Sequence, residues 1–153
     1  MEGLESLVSK NEITELVHRY AFNIRQRKHG LCAEMFTEDS SFEVREAHPL
    51  RPETLVTRSR AEGRDAVIAS IGVSGGTSRV FPAIHNLLID LDGDSARITA
   101  LMLATVYPGG GEMVGEYDDT LRREQGKWLF KSRCYTIYRE TWPRSVTHSV
   151  VTK

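Results

Sequence analysis

The chain has 153 residues, with 20 Lys and Arg against 21 Asp and Glu and a formal net charge of −1. That length fits one domain over residues 1–153 around a single core, and so small a charge creates no field to gather nucleic acid or an acidic membrane. Cys32 and Cys134 are too few for a disulfide framework and match no metal spacing, no apolar run approaches the roughly 20 residues of a membrane span, and nothing at the start has a targeting layout, so the expectation is a soluble cytoplasmic protein without cofactor or metal.

Ser9-Lys10-Asn11-Glu12 has the form of a capping box and predicts a helix start there. Ile13, Leu16, Val17, Tyr20 and Ile24 then recur at three- and four-residue spacing, one apolar stripe that wants a sheet to lie on. Gly30 interrupts the pattern near Lys28 and His29, and Leu31, Cys32, Met35 and Phe36 restart it as a short second helix. Residues 41–44 read as a short strand. Arg45 to Ser59, with two prolines and mixed charge, reads as a loop crossing the surface. Gly63 followed by Ala66, Val67, Ile68 and Ile71 suggests a third helix, stopped by Gly72 and Gly75-Gly76.

Four long strands follow: Val80 to Leu91, Ala96 to Tyr107, Met113 to Arg122 and Trp128 to Tyr138. The breaks between them are Asp92-Gly93-Asp94, Pro108-Gly109-Gly110-Gly111 and Glu124-Gln125-Gly126-Lys127. Gly reaches the positive φ that tight hairpins require, so an antiparallel meander is expected. The predicted class is α+β, with N-terminal helices packed on one concave face of a curved, mostly antiparallel sheet and a pocket between them. Gly109-Gly110-Gly111 lacks the Gly-Lys-Ser/Thr ending of a phosphate loop and reads as a hairpin linker. The five histidines, at 18, 29, 48, 85 and 148, are scattered without ligand spacing.

Alternation divides the meander's polar residues into two sets. Tyr117, Asp119 and Leu121 share one face of their strand, and Glu116, Asp118 and Thr120 share the other. Glu116 and Asp118 read as solvent or subunit-interface residues. Asp119 reads as a partner for Arg133 or Arg25, either as a salt bridge closing the sheet or as part of a rearranged site. Leu101, Met102, Leu103, Trp128 and Phe130 read as core or pocket wall, and Tyr135 and Tyr138 carry phenols able to donate to a ligand carbonyl. The tail from Pro143 reads as a pocket cap or as an addition to a neighbouring subunit.

"EITELVHRYA" at residues 12–21, "AEMFTEDSSF" at 33–42, "IDLDGDSARI" at 89–98 and "GEYDDTLRREQGKWLFKSR" at 115–133 together resemble the SnoaL-like branch of the nuclear-transport-factor-2-like superfamily. The resemblance spans nearly the whole chain and implies a cone-shaped half-barrel around a deep apolar pocket. By pattern the sequence is similar to the scytalone dehydratase, bile acid 7α-dehydratase and hexachlorocyclohexane dehydrochlorinase type, whose chemistry is elimination. In that group an Asp late in the first helix orients a pocket His that takes a proton from carbon. A phenolic or basic residue earlier on the helix and a last-strand Arg hold the leaving group.

Carried over, Tyr20 falls on the phenolic position, Arg133 on the last-strand arginine, and Arg25 stands where the Asp belongs. An arginine there cannot orient a basic imidazole. The family's His-x-x-x-Asn pattern aligns in two ways. If Asn86 is the motif Asn, Pro82 holds the catalytic position and His85 points the other way; if "FPAIH" leads directly into the catalytic residue, His85 is the base. Two functions therefore stand open. One is a cofactor-free lyase or isomerase acting by proton abstraction on a small apolar, carbonyl-bearing molecule such as a polyketide or steroid-like intermediate. Its catalytic residues would be His85, Tyr20 and Arg133, with Arg25, Asp119, Tyr117 and Tyr135 as substrate contacts. The other is a binding or structural member of the family without catalysis. The resemblance also implies a homotrimer or homodimer formed through the open sheet face.

Overall fold

Residues 3–48, 50–73 and 78–141 are described in a computed structural model of the chain. The first helix, α1, spans Leu4–Arg25. It begins well before the expected capping box, because Ser9 is its first buried residue and sits within it rather than at its end. Ile13, Val17, Tyr20 and Ala21 form the inward stripe, and the helix lies mainly against β3 (Arg79–Asp92). A 3-10 helix over His29–Met35 follows, burying Cys32. The third predicted helix is α2, Arg64–Val73. Gly72, expected to help stop it, lies inside the helix, and Gly75-Gly76 lies outside the described residues.

The remaining strands are β1 (Phe36–His48), β2 (Arg51–Glu62), β4 (Ser95–Tyr107), β5 (Glu112–Glu124) and β6 (Lys127–Thr141). With β3 they form one curved, unclosed six-stranded sheet in the order β2-β1-β6-β5-β4-β3. The meander from β3 to β6 is antiparallel throughout, as its turns require, and only β1 with β6 is parallel. Gly93 at φ 58° closes the first hairpin, and Gln125 and Gly126 at φ 49° and 78° close the last. The expected loop from Arg45 to Ser59 is instead the antiparallel β1–β2 hairpin. Its second strand is an edge strand exposed along nearly all its length, which is where Pro52 is tolerated and where apolar alternation is not needed.

Two register shifts decide which side chains face inward. In β3 the pairing slips between His85 and Leu88, with Asn86 at φ 51°, so Ile84 and Leu87 both pack against the core. In β6, Leu121 pairs with Phe130 but Thr120 with Ser132, leaving Lys131 as the extra residue. Trp128 and Phe130 therefore point inward before this bulge, and Arg133, Tyr135 and Ile137 after it. Simple alternation would have placed these two sets on opposite faces.

The interior has two parts. Ile13, Val17, Phe36, Val67, Ile98, Leu121 and Phe130 belong to a closely packed cluster under the helices. Met102, Ala104, Tyr117, Tyr135 and Ile137 form a second cluster toward the other end of the sheet. Gly115 shapes the second. A Cβ built there would lie 2.4 Å from the Thr136 carbonyl oxygen and 2.5 Å from the Tyr135 ring, so only glycine lets that ring lie flat on the strand. Gly115→Ala is expected to destabilise the fold by about 1–3 kcal/mol through overpacking, read as a lowered thermal midpoint. An unchanged midpoint would mean that the ring moves aside freely.

Candidate functional site

Between the two clusters lies a cavity of about 350 Å³. Its wall is mostly apolar: Ile24 from α1, Phe42 and Val44 from β1, Ile71 from α2, Val80 and Pro82 from β3, Met102 from β4, Met113 from β5 and Ile137 from β6. The phenols of Tyr20, Tyr117 and Tyr135 interrupt that wall, and Arg27, His29, Arg58, Ser59, Ser70, Ser78 and Glu140 complete it. Arg58 is already engaged, with Nη1 2.9 Å from Glu140 Oε2 and 3.7 Å from Glu46 Oε2.

Behind two of the phenols sits a buried ion pair. Arg133 Nε and Nη2 lie 3.0 and 2.9 Å from Asp119 Oδ2, and both residues are almost completely inaccessible at 1% and 0% exposure. The guanidinium is enclosed by aromatic faces: its carbon is 3.8 Å from the centre of the Tyr117 ring, 4.2 Å from that of Phe130 and 4.3 Å from that of Tyr20. Such stacking lowers the cost of a buried cation, because the ring faces carry negative potential. The pair is one-sided, since Asp119 Oδ1 and Arg133 Nη1 have no hydrogen-bond partner among the described residues.

Burial pushes the Asp119 carboxyl up to about 6, against the opposing pull of Arg133. Burial alone would lower Arg133, but Asp119 and the phenols of Tyr117 and Tyr20 hold it above its usual value, so it stays a cation. Burial also raises Tyr20 and Tyr117, each further held up by its acidic neighbours, and both remain protonated donors at neutral pH. The Tyr135 hydroxyl donates to the Met102 carbonyl at 3.2 Å, which fixes its ring against the cavity wall.

The expected site residues separate into three groups. Tyr20, Tyr117 and Tyr135 line the cavity; Asp119 and Arg133 form the pair beneath it. His85 and Arg25 are elsewhere. His85 is exposed on the outer face of β3, opposite Leu101 of β4, while Pro82 lines the cavity, as the alignment through Asn86 requires. Arg25 is exposed on α1, with its guanidinium 5.1 Å from the Phe22 ring centre. The reading of His85 as the cavity's base and of Arg25 as a substrate contact is corrected accordingly: each side chain leaves its element on the side away from the hollow. Tyr138 also faces outward, donating to Glu116 at 3.0 Å, and Asp118 pairs with Arg97 at 2.6 Å on that same outer face. The proposed cap from Pro143 lies outside the described residues.

Arg27 and His29 were not anticipated. They follow α1 directly, where the chain turns through Arg27 at φ 58° and the 3-10 helix begins at His29. His29 is partly buried, and burial together with the Arg27 charge lowers its pKa below the usual imidazole value.

A model of the SnoaL-like domain matches residues 5–134, so the chain belongs to the SnoaL-like domain family. No curated protein matches it. Among solved structures, a candidate scytalone dehydratase from Novosphingobium aromaticivorans is 24% identical with a TM-score of 0.67, covering 88% of this chain and 87% of that one. A Mycobacterium tuberculosis protein of unknown function is also 24% identical, with a TM-score of 0.73 over 88% of this chain and 75% of its own. A type 2 hexachlorocyclohexane dehydrochlorinase is 14% identical, with a TM-score of 0.71 over 94% of each chain. At these identities the likeness is one of fold, and it includes dehydratase-type proteins alongside others of unknown function. Among the described residues no helix is long and apolar enough to cross a membrane.

Removing one member of the buried pair strands the other charge in the interior, so Asp119→Ala is expected to cost about 3–5 kcal/mol in urea unfolding. The pH dependence has a definite sign. The folded-state pKa of Asp119 is raised above that of the unfolded chain, so its contribution is fully present below about pH 4 and is lost as the pH rises through about 6. The stability of the wild type relative to Asp119→Asn should fall across that window. A relative stability that climbs over the same range would contradict the assignment.

Proposed function

We propose that this chain binds a small, largely apolar molecule bearing an oxygen acceptor, held in the cavity between α1, α2 and the concave face of the sheet. The observation that carries the reading is the hollow itself: about 350 Å³ with an apolar wall and the phenols of Tyr20 and Tyr117 set into it. A cavity of this kind gains affinity from apolar area and orientation from a few polar groups. Both phenols are protonated, and Arg133 behind their rings draws electron density away from them, so each is a better donor to a carbonyl or ether oxygen.

Elimination by the residue set first expected is the weaker account. His85 and Arg25 lie outside the cavity, and Pro82 occupies the place where the alignment through Asn86 puts the catalytic imidazole. The dehydratase-type neighbours keep lyase or isomerase chemistry open as a second reading, one that needs a different base.

The neutral fluorophore N-phenyl-1-naphthylamine tests the binding reading. Its emission should rise on mixing with the wild type and fail to rise with Met102→Trp or Val80→Trp, each of which fills the hollow from one strand. Equal enhancement by all three proteins would place the dye elsewhere and remove the support for this reading.

A second copy of the chain is the proposed partner. The outer face of the meander presents Phe81 from β3, Leu101 and Leu103 from β4 and Val114 from β5 at 38%, 38%, 39% and 37% exposure, with Leu103 and Val114 directly paired. Large apolar side chains gathered on one sheet face are characteristic of an interface. Light scattering should report a dimer or trimer for the wild type and a shift toward monomer for Leu103→Lys, and a monomeric wild type at all concentrations would contradict it.

A further inference from the structure

We propose that His29 is the proton acceptor of this cavity, acting on the acidic C–H of a small apolar compound whose carbonyl oxygen is held by a phenol of the wall. The inference rests on the binding reading above and adds a reaction to it. Its ground is position. Among the described residues that line the cavity, His29 is the one histidine. It arrives not from a strand but from the first residue of the 3-10 helix, just beyond the end of the helix that supplies Tyr20 and Ile24 to the same wall.

The groups around it suit the role. The ionisable side chains sharing the cavity are Arg27 from the turn, Tyr20 from α1, Arg58 from β2, Tyr117 from β5, and Tyr135 and Glu140 from β6. Glu140 is paired with Arg58, and the three phenols are held protonated, so none of these is a free base near neutrality. Burial and Arg27 both disfavour the imidazolium and so favour the neutral ring, the form that can accept a proton.

The step balances without any co-reactant. An imidazole nitrogen takes the proton from the carbon next to the carbonyl, the C–H electron pair becomes a C=C bond, and the carbonyl π pair moves onto oxygen, which accepts a hydrogen bond from Tyr20 or Tyr117. Where the compound also carries a C=C bond β,γ to that carbonyl, the enolate extends to the γ-carbon; the imidazolium returns the proton there as the carbonyl re-forms, completing an isomerisation. Alternatively, the carbonyl re-forms, the enolate C=C pair becomes an α,β C=C bond as the leaving group departs from the β-carbon, and the imidazolium gives that group its proton, completing an elimination.

5-Nitrobenzisoxazole probes the base without knowledge of the natural ligand. A base removes its C3 proton, the C–H pair forms the nitrile, the N–O bond breaks, and a coloured phenolate is released. The wild type should exceed His29→Gln by at least about a hundredfold, the lower part of the range for general bases. The outward-facing His85→Gln should match the wild type. The rate should rise with pH and level off with a midpoint below the ordinary imidazole value of about 6.5. If His29→Gln still binds N-phenyl-1-naphthylamine but turns over at the wild-type rate, His29 is not the base, and the binding reading stands. If the wild type itself does not bind the dye, both readings fail. Should His29→Gln lose dye binding as well, the profile of Asp119→Asn decides, because Asp119 beneath the cavity also titrates at about 6: a midpoint below the imidazole value that survives in this variant supports the assignment, and a flat profile overturns it.

Discussion

Everything in this interior is arranged around one cation that cannot leave. Arg133 is enclosed by Tyr20, Tyr117 and Phe130 and held by Asp119, which ties α1, β5 and β6 to a common point. Desolvating a guanidinium is expensive, and neither a single carboxylate oxygen nor three ring faces would offset that alone. Both act on it at once, and the arrangement fixes where the two cavity phenols sit. Aliphatic packing of the same volume would fill the space, but it would neither hold Tyr20 against Arg133 of β6 nor polarise its hydroxyl.

The cavity follows from a division of labour among the elements. Under the helices, Tyr20 meets Phe36 and Phe130 edge to face at centroid separations of 6.0 and 5.8 Å, the two Phe rings lie tilted at 5.3 Å, and the space is filled. Farther along the sheet α1 has ended; Arg27 of the turn and His29 at the start of the 3-10 helix border the cavity there, with Ser70 and Ile71 of α2, while Cys32 and Met35 of the 3-10 helix belong to the filled part. The hollow is thus a consequence of helix length against strand length. Polar groups collect where helix gives way to turn, which is why Arg27 and His29 appear at that margin.

Much of the fold was legible because its punctuation is chemical. Asp92-Gly93-Asp94 and Gln125-Gly126 demand backbone conformations that few residues adopt, and the strands between them had room only to run antiparallel. The β1–β2 hairpin was not legible. An edge strand exposed on both faces carries no apolar alternation, and Pro52 reads as a breaker unless its edge position is known. The start of α1 was missed for a similar reason, since the residues before Ser9 bury nothing. Within the site, the parity of β5 was enough to set Tyr117 and Asp119 facing inward. His85 could not be oriented, because a bulge at Asn86 breaks the alternation on which such a reading depends. His29 left no periodic trace at all: a side chain in a turn follows the path of the backbone, and only the three-dimensional fold shows where that path leads.

The extra residue at Lys131 carries a consequence for how this protein tolerates change. It acts as a partition: upstream of it β6 serves the solid compartment with Trp128 and Phe130, and downstream it serves the hollow one with Tyr135 and Ile137. Excising that one lysine would leave both sets facing inward, since Phe130 would then be followed by Ser132 in ordinary alternation, whereas drawing it into the ladder as a paired residue would turn Arg133, Tyr135 and Ile137 out to bulk water. The wall of the chamber is therefore encoded in a count of residues as much as in their identity.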